Sequence, residues 1–596
     1  MLSEDLVAAV ERLVDVYAAE GAQPGLAYGV VAGGALVHSG GRGTTRATGP
    51  AVAPDRDTVF RIASMTKSFT AAVLLQLRDE GRLALDDEVA THVPEFAAVR
   101  PHAGDAPAIT VRSLLTMSAG LPTDDPWGDR QQGLPAADFT ALLAGGLSLA
   151  WTPGTAFEYS NLGYAVLGRV VEAVAGRPYR EVVHDRLLVP LGMGSTVFAA
   201  EEVPVDRLAT GHRADSGTWR PVPLDPYGAF APMGGLFSTV RDLSVWVAGM
   251  AAAYPPRSGP DEPAHPLRRS SRREAQQVHR VVGPQAVWTA LHEPPEVRCT
   301  GYGLGLLVEL DAVRGEVVGH SGGYPGFGSN MRWHPGTGLG VVVLGNATYA
   351  PAYQLAATVL ELLVADARAH RRPAVRGPAP GDGRPWPATL AAREAVQHLL
   401  TGWDDDLAAA VFAGNVDLDE PLADRRATVE RAREQLGALD PEPGPDEPAQ
   451  SPAHQAWWVH GPGGRARVEI RLTPQLPPLV QSLSLTVVHE PGEALRAAAA
   501  AVAAELGAQH PDWPAVLVAA PPLTTAAGRR ALLAGAAWAG ACSVGAVTAC
   551  GGTGSATFVL HGEHADLVLD LSSATPSGPD APTTLTALVL RPVPPR

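Results

Sequence analysis

The chain has 596 residues, a net charge of −16 and 46% hydrophobic residues. This length predicts two to four domains, and the composition is that of a globular protein. The acidic balance argues against a nucleic-acid partner, and the lack of any run of 18 apolar residues argues against a membrane-spanning segment.

The N-terminal segment predicts the first elements of the fold. Apolar residues at helical spacing over residues 4–20 indicate a helix that ends at Gly21. Two short apolar runs, at 25–31 and 34–41, predict a β-hairpin. The acidic start of the chain lacks the basic and apolar regions of a secretory signal, so we expect a cytoplasmic protein.

Strand patterns open and close the first predicted domain, which we place at residues 1–370. A helix is predicted over 68–80, and strands return at 301–309 and 316–346. Strands from both ends of a segment can form one sheet that carries helices on both faces. The Pro-, Arg- and Ser-rich residues 255–285 are expected to form an exposed insertion.

The second half of the chain predicts further domains. Residues 371–387 are rich in Pro and Gly and are expected to form a linker. Residues 388–490 and 491–596 each show helical stretches followed by strand patterns, which predicts two small, duplicated α+β domains. They resemble cystatin or nuclear-transport-factor-2-like domains. Such domains are candidates for joining two copies of the chain in a homodimer, or for capping a cleft.

Lys67 is the only lysine in the chain. Arginine can replace lysine at the surface, but not where a proton must leave the side chain, because the guanidinium group stays protonated. A desolvated lysine beside a nucleophile can lose its proton and act as a base. Ser64 lies three residues before Lys67, so both side chains are expected on one face at a helix start. There the Ser64 backbone N–H can stabilise an oxyanion.

Two further motifs carry candidate site residues. Tyr-Ser-Asn at 159–161 follows a Pro-Gly turn and precedes an apolar helical pattern, which places the triplet on a structured loop. Gly-His-Ser-Gly-Gly at 319–323 ends a predicted strand. Small residues at that point allow a substrate to lie against the strand edge.

As a set, S-x-x-K, Y-x-N and a strand motif ending in glycine resemble the active sites of the serine β-lactamase and penicillin-binding-protein superfamily. The order is most similar to that of class C β-lactamases and related carboxylesterases. The resemblance covers roughly residues 5–370 and implies an α/β fold, an αβα sandwich with an antiparallel sheet and a helical subdomain. It also implies a serine hydrolase that acts on a small molecule or short peptide.

The resemblance implies a role for each catalytic candidate. Ser64 is the nucleophile that becomes acylated, and Lys67 accepts its proton or holds the network that does. Tyr159 is the second acid/base, which relays a proton to the leaving group. Asn161 orients Lys67 and the substrate.

The third motif departs from the family's best-known form, K-T-G. His320 stands where many relatives have a lysine, and it is followed by Ser321 and Gly322 in the substrate-binding strand. The backbone N–H of Gly323 is expected to complete the oxyanion hole with that of Ser64. Histidine is largely neutral at pH 7, which favours an esterase or an amide or peptide hydrolase over an efficient β-lactamase.

Two alternatives are open at this point. Residues 319–323 also fit G-x-S-x-G, the nucleophile elbow of α/β-hydrolases, with Ser321 as the nucleophile. That elbow requires a helix next, whereas the residues that follow are rich in Gly and Pro. The second alternative is a catalytically idle relative that serves as a sensor or scaffold. The intact Ser64, Lys67 and Tyr159 argue against it.

The sequence predicts no metal and no nucleotide cofactor. No glycine-rich nucleotide-binding motif occurs. His561 and His564 lie three residues apart in a strand-like stretch without a third ligand nearby, which favours a solvated loop.

Overall fold

A computed structural model of the chain describes residues 2–47, 52–101, 104–256, 260, 264–287, 296–311, 315–370, 385–440, 444, 446–447, 449, 451–506, 539–550, 554–562, 566–573 and 585–592. The chain divides into two compact units, Met1–Arg372 and Pro373–Arg596. Residues 371–384 of the predicted linker, and His564 of the histidine pair, lie outside the described residues.

The first unit is built on a large antiparallel sheet. Its strands in chain order are β1 Gly25–Ala32, β2 Ala35–Gly43, β3 Phe60–Arg61, β4 His212–Asp215, β5 Thr218–Pro221, β6 Phe237–Ser238, β7 Arg280–Val287, β8 Glu296–Tyr302, β9 Leu307–Asp311, β10 Gly315–Tyr324, β11 Phe327–His334 and β12 Leu339–Gly345. Eight of them form one sheet in the order β2-β1-β12-β11-β10-β9-β8-β7, while β3 pairs with β6 and β4 with β5. Strands from both ends of the segment, β1 and β12, therefore lie side by side in the sheet.

Helices surround this sheet. The α-helices of the first unit are α1 Glu4–Ala19, α2 Thr66–Asp79, α3 Val89–His92, α4 Val111–Leu115, α5 Asp125–Asp129, α6 Ala136–Ala144, α7 Asn161–Ala175, α8 Tyr179–Val183, α9 Val189–Leu191, α10 Ala231–Gly234, α11 Val240–Ala251, α12 Arg269–Ala275 and α13 Ala352–His370. A 3-10 turn, Ala63–Met65, leads directly into α2.

Alternate residues of β1 face two different hydrophobic cores, because successive side chains of a strand point to opposite faces. Leu26, Tyr28 and Val30 pack with α1 and α13. Ala27 and Val31 pack with the helical body that contains α2, α7 and α11. The central sheet thus lies between two helical layers, which confirms the predicted αβα sandwich with an antiparallel sheet.

The prediction of an exposed insertion at residues 255–285 is wrong for the part of that segment that the structure describes. Helix α12 and edge strand β7 occupy about half of it, and β7 pairs with β8. Arg272 is only 1% exposed and donates to the Gly249 carbonyl, and Ser271 donates to Asp79 at 2.6 Å. Polar side chains are buried here because they have hydrogen-bond partners, so composition alone is misleading.

The second unit contains two four-stranded antiparallel sheets, β13-β14-β15-β16 and β17-β18-β19-β20. In the described residues four α-helices precede the first sheet and one precedes the second. Its elements are α14 Pro387–Thr401, α15 Asp405–Val411, α16 Gly414–Asp419, α17 Leu422–Leu436, β13 Asp446–Glu447, β14 His454–Gly461, β15 Gly464–Leu472, β16 Val480–Val488, α18 Glu493–Leu506, β17 Cys542–Cys550, β18 Ser555–Gly562, β19 Leu567–Ser573 and β20 Leu585–Pro592. Trp458 and Val488 of the first sheet join the hydrophobic core of the second. A domain boundary between residues 490 and 491 stays a prediction.

Within the described ranges, no helix combines the length and the apolar character that crossing a lipid bilayer requires.

Candidate active site

A short strand and a tight turn place Ser64. The turn Ala63–Met65 joins β3 to α2, and Ala63 adopts a left-handed conformation, with φ of +48°. Such a conformation is unfavourable for alanine and persists only where packing enforces it. Ala63 and Met65 are buried, whereas Ser64 is half-buried at the head of the helix. The turn therefore leaves the Ser64 side chain partly accessible, while both of its neighbours are buried.

Lys67 lies on the first turn of α2 and is fully buried. Its Nζ lies 3.0 Å from Ser64 Oγ, 2.7 Å from Asn161 Oδ1 and 2.9 Å from the Met233 carbonyl oxygen. The last of these acceptors comes from α10, at a sequence separation of 166 residues. Ser64, Lys67 and Asn161 are thus brought into one hydrogen-bonded cluster.

Burial dominates the electrostatics of Lys67. It lowers the pKa of the Lys67 amine from 10.5 to about 7, because the charged form is poorly solvated there. The carboxylates of Asp125, Asp124 and Asp129 act in the opposite direction but are weaker. Near neutral pH, the amine is therefore present in both protonation states.

Two aspartates fix Asn161 at the start of α7. Asp124 accepts the backbone N–H groups of Asn161 at 2.7 Å and Leu162 at 2.8 Å, and Ser160 caps the helix by accepting from Gly163. Asp125 Oδ1 accepts from Asn161 Nδ2 at 2.8 Å. Because the amide N–H is held by a carboxylate, the amide oxygen faces Lys67.

Tyr159 covers the Ser64–Lys67 pair. The centroid of its ring lies 4.8 Å from Lys67 Nζ. Burial raises the pKa of Tyr159 well above its ordinary value, although a hydrogen bond with Ser64 opposes the shift. At neutral pH the phenol therefore carries its proton and lies in contact with the serine hydroxyl.

The strand with the third motif, β10, runs beside the Ser64 turn. Gly322 lies against this turn so closely that a Cβ atom there would be 2.2 Å from the Ile62 carbonyl oxygen and 2.3 Å from Ser329 Oγ. Ser329 in turn donates to that carbonyl at 2.8 Å. Pairing of β10 with β9 ends at Gly319, so the residues after it have a strand edge without a β9 partner. A substrate backbone or amide has room along this edge.

His320 is 3% exposed and is held as a neutral ring. Its Nδ1 lies 2.6 Å from the Ser321 carbonyl oxygen, which can only accept, so Nδ1 carries the proton. Nε2 then accepts from the Tyr302 hydroxyl at 3.1 Å. Burial lowers the pKa of His320 to about 3, and the nearby Lys67 adds to the effect. His320 therefore supplies no positive charge at neutral pH.

Several residues of this site were not predicted from the sequence. They are Asp124, Asp125, Met233 and Tyr302. The acidic pair at 124–125 and the glycines after Met233 are visible in the sequence, but nothing local connects them to Lys67. Their sequence separations from their partners are between 18 and 166 residues, so only the tertiary fold brings them to the site.

The alternative nucleophile elbow at Ser321 is wrong. Ser321 lies inside β10, and the strand β11 follows where an elbow requires a helix. Its hydroxyl accepts from the Asn330 amide at 2.8 Å. An amide is not a base that could activate a serine.

Nothing in the described parts of the chain forms a group of three or more His, Cys, Asp and Glu side chains suited to a metal ion.

An αβα sandwich with a Ser-x-x-Lys pair at a helix start, a Tyr-x-Asn loop and a glycine-containing strand is the arrangement of the β-lactamase and penicillin-binding-protein class. Comparison with known proteins agrees. The sequence profile of the Beta-lactamase family matches residues 10–366. The chain therefore belongs to the Beta-lactamase family.

Individual relatives share less than a third of their residues with this chain. Penicillin-binding protein 4 of Amycolatopsis lactamdurans is 29% identical over 331 residues, which are 55% of this chain and 82% of that protein. The unguisins hydrolase ungD' of Aspergillus campestris is 27% identical over 375 residues, 61% of this chain and 65% of that protein. The octameric penicillin-binding protein homologue of Pyrococcus abyssi shares the fold, with a TM-score of 0.50 and 22% identity over 80% of this chain and 99% of that one.

Proposed function

We propose that the chain is a serine hydrolase that cleaves an ester or amide bond through a covalent acyl-enzyme on Ser64. Lys67 is the base that accepts the serine proton, Tyr159 is the second acid/base, and Asn161 orients Lys67. The observation that carries the proposal is the 3.0 Å contact between a buried lysine amine and Ser64 Oγ.

The acceptors around Lys67 satisfy both of its protonation states, because the ammonium form donates to Ser64 Oγ as well as to the two carbonyl-type oxygens. A neutral amine has two N–H groups and one lone pair. The Asn161 amide oxygen and the Met233 carbonyl oxygen can only accept, so they take the two N–H groups. The lone pair is then directed at the Ser64 hydroxyl, which is the orientation that a general base requires.

Acylation follows from this arrangement. The lysine amine takes the proton of Ser64, and Oγ attacks the substrate carbonyl carbon. The backbone N–H groups of Ser64 and Gly323 stabilise the oxyanion of the tetrahedral intermediate. Tyr159 gives its proton to the departing alcohol or amine, and the Lys67 ammonium returns a proton to the phenolate. The acyl group is then bonded to Oγ, and both acid/base groups are neutral again.

Deacylation uses the same groups. Water gives a proton to the Tyr159–Lys67 pair while its oxygen attacks the acyl carbon. The tetrahedral intermediate collapses, the carboxylic acid leaves, and Ser64 Oγ regains a proton. The raised pKa of Tyr159 keeps the phenol protonated in the acyl-enzyme, so it relays the water proton to the neutral Lys67 amine.

The substrate is proposed to be a small ester, amide or short peptide without a required anionic group. His320 is neutral where many relatives have a lysine, and Lys67 is the only lysine of the chain. The carboxylates of Asp124, Asp125 and Asp129 act on Lys67. Neither His320 nor these carboxylates can pair with an anionic substrate group. The name of the Aspergillus relative, a hydrolase, supports hydrolysis as the reaction.

A substrate panel with two serine variants tests the proposal. The full chain is assayed with p-nitrophenyl acetate, a D-amino-acid p-nitroanilide and nitrocefin, as wild type, Ser64→Ala and Ser321→Ala. We expect Ser64→Ala to lose at least about a thousandfold in kcat and Ser321→Ala to keep Ser64 chemistry. We also expect ester turnover to exceed nitrocefin turnover.

Full activity of Ser64→Ala would overturn the serine mechanism. Nitrocefin turnover as fast as ester turnover would remove the argument on substrate charge. A chain that hydrolyses none of the substrates and takes no label from a fluorophosphonate would support the idle scaffold instead.

A further inference from the structure

The free edge of β10 beside Ser64 is short. Pairing with β9 ends at Gly319, and the strand itself ends at Tyr324. Alternate residues of a strand share one face, so His320, Gly322 and Tyr324 lie on the same face of β10. Four residues of extended strand separate His320 from Tyr324, which corresponds to about 13 Å. A substrate that lies along this edge therefore has little room in either direction.

The two parts of a substrate extend toward different ends of this edge. The ring centroid of Tyr159, the proposed acid for the leaving group, lies 6.3 Å from that of His320. Tyr324 lies at the other end, where Arg61 Cζ is 4.0 Å from the centroid of its ring. Because the acyl group and the leaving group extend in opposite directions from the scissile carbonyl, the acyl group extends toward Tyr324.

Two tyrosine hydroxyls converge on Asp129 at this end of the edge. Tyr349 donates to Asp129 Oδ2 at 2.7 Å. The Tyr324 hydroxyl lies 2.8 Å from the Asp129 carbonyl oxygen and 2.6 Å from Asp225 Oδ2, so its proton is shared between two acceptors. Asp129 is the last residue of α5 and is 4% exposed. The end of β10 is therefore joined to the end of α5.

Helix α5 belongs to the opposite side of the cleft. Its first residue, Asp125, accepts from Asn161 Nδ2 at 2.8 Å, and a Cβ atom at Gly128 would be 3.0 Å from Asn161 Cβ. Asn161 in turn accepts from Lys67 at 2.7 Å. The hydrogen bonds of Asp129 therefore connect the helix that packs on Asn161 with the strand on the other side of the reacting groups.

Tyr349 is held in an unfavourable backbone conformation. Its φ is +51°, and for a tyrosine such a left-handed conformation persists only where the surroundings enforce it. The ring lies so close to Gly323 that a Cβ atom there would be 2.6 Å from Tyr349 Cδ1. That Cβ would lie on the face of β10 opposite Tyr324. The two tyrosines thus contact Asp129 from both faces of the strand, and Tyr349 is still 49% exposed.

We propose that Tyr349, fixed by Asp129, is a specificity-determining residue that closes the acyl end of the cleft and restricts the acyl group to a few carbons. About one residue of strand, or 3–4 Å, separates the Gly323 N–H from Tyr324. An acetyl group fits this space, whereas an extended octanoyl chain reaches about 8 Å past the scissile carbonyl. The inference rests on the proposed function, which places that carbonyl at Ser64 and Gly323.

Two ester series test the inference. In the first, p-nitrophenyl acetate and p-nitrophenyl octanoate vary the acyl group, and in the second, ethyl acetate and octyl acetate vary the leaving group. Each is assayed with wild type, Tyr349→Gly, Tyr349→Phe, Asp129→Asn and Tyr353→Ala. Glycine adopts the φ of Tyr349 readily, and the asparagine oxygen can still accept from Tyr349. Tyr353 is the matched control, an exposed tyrosine on α13 whose ring lies over Arg332.

We expect wild type to prefer the acetate over the octanoate in kcat/KM at least about tenfold, and Tyr349→Gly to reduce this preference at least about tenfold. Tyr349→Phe keeps the ring without its hydrogen bond and should reduce the preference about two- to fivefold. Asp129→Asn and Tyr353→Ala should keep the wild-type ratio. The ratio for the two acetates should be the same in all five proteins. A general change in the oxyanion hole would affect both acyl groups and leave their ratio unchanged.

No preference for the acetyl ester in wild type, or an unchanged ratio in both Tyr349 variants, would overturn the inference. Slower octanoate turnover in Tyr349→Gly would overturn it as well, because the ring would then bind the acyl chain. Labelling of Ser64 by a small fluorophosphonate separates the inference from the proposed function. Normal labelling with an unchanged acyl preference refutes only the role of Tyr349, whereas wild type that is not labelled at Ser64 refutes the proposed function itself.

Discussion

The charge of Asp125 sets part of the pH dependence of the proposed base. Asp125→Asn removes a carboxylate that raises the pKa of Lys67, so the acid limb of the kcat/KM profile should move to lower pH. The asparagine oxygen can still accept from Asn161 Nδ2, as Asp125 does at 2.8 Å. The substitution therefore changes charge with little change in geometry.

The size of the shift follows from the separation of the charges. Two hydrogen bonds of 2.7 and 2.8 Å across one amide group keep Lys67 Nζ within about 8 Å of Asp125 Oδ1. Unit charges at that distance attract by ~0.5 kcal/mol in water and ~2 kcal/mol at an effective dielectric constant of 20. Asp125 is exposed, so screening favours the lower part of this range, an expected shift of about 0.5–1 pH unit.

The assay is kcat/KM of p-nitrophenyl acetate hydrolysis from pH 5 to 9 at constant ionic strength. The wild-type acid limb is expected near pH 7, where the pKa of Lys67 lies. Asp138→Asn is the matched control, because Asp138 is exposed on α6 and does not contribute to the pKa of Lys67. A limb that stays in place in Asp125→Asn, or moves to higher pH, would refute the electrostatic reasoning.

Two further perturbations follow from the same site. Because the folded chain lowers the pKa of Lys67 from 10.5 to about 7, the unfolded chain binds more protons between these values, and wild-type stability should rise relative to Lys67→Met by about 2 kcal/mol from pH 7 to pH 9. Parallel denaturation midpoints for the two proteins across this range would contradict the lowered pKa. Gly322→Ala would place a Cβ atom 2.2 Å from the Ile62 carbonyl oxygen. We therefore expect the free energy of unfolding, followed by thermal denaturation, to fall by about 1–3 kcal/mol. We also expect kcat to fall at least about tenfold. Gly194→Ala, where no atom lies within 4 Å of the added Cβ, should be nearly neutral, and equal effects of the two glycine variants would contradict the packing argument.

Local periodic patterns predicted much of the fold. The helix predicted over residues 4–20 is α1, Glu4–Ala19, and the helix predicted over 68–80 is α2, Thr66–Asp79. The hairpin of β1 and β2 also lies where the two apolar runs predicted it. These elements were accessible because their apolar spacing is regular and their ends carry ordinary caps or turns.

In the second unit the local sequence pattern was not sufficient to predict every helix and strand. The helical stretch that opens residues 388–490 is divided into α14 and α15, because Gly402 ends the first helix and Asp404 caps the second. Strand β17 was missed, since its mixed small and polar residues give no clear alternation. A homodimer through the C-terminal domains and a cytoplasmic location stay predictions.

Some residues of the candidate site were predictable from the sequence, and others depend on the tertiary fold. Ser64, Lys67, Tyr159 and Asn161 were accessible because their residue types and spacing carry chemistry. The acceptor at Met233 is a backbone oxygen, and no side-chain pattern could have indicated it. The lowered pKa of His320 depends on burial and on the nearby Lys67, which are properties of the folded chain.

The rate at which Ser64 is labelled by a fluorophosphonate, followed by intact mass and peptide mapping from pH 5 to 9, tests the central claim most directly. Deprotonation of the chain's single lysine should control this rate. We predict one adduct on Ser64, a rate that rises through a midpoint near pH 7, and labelling at least about a hundredfold slower in Lys67→Arg. An adduct on another residue, or wild-type labelling rates in Lys67→Arg, would contradict the account.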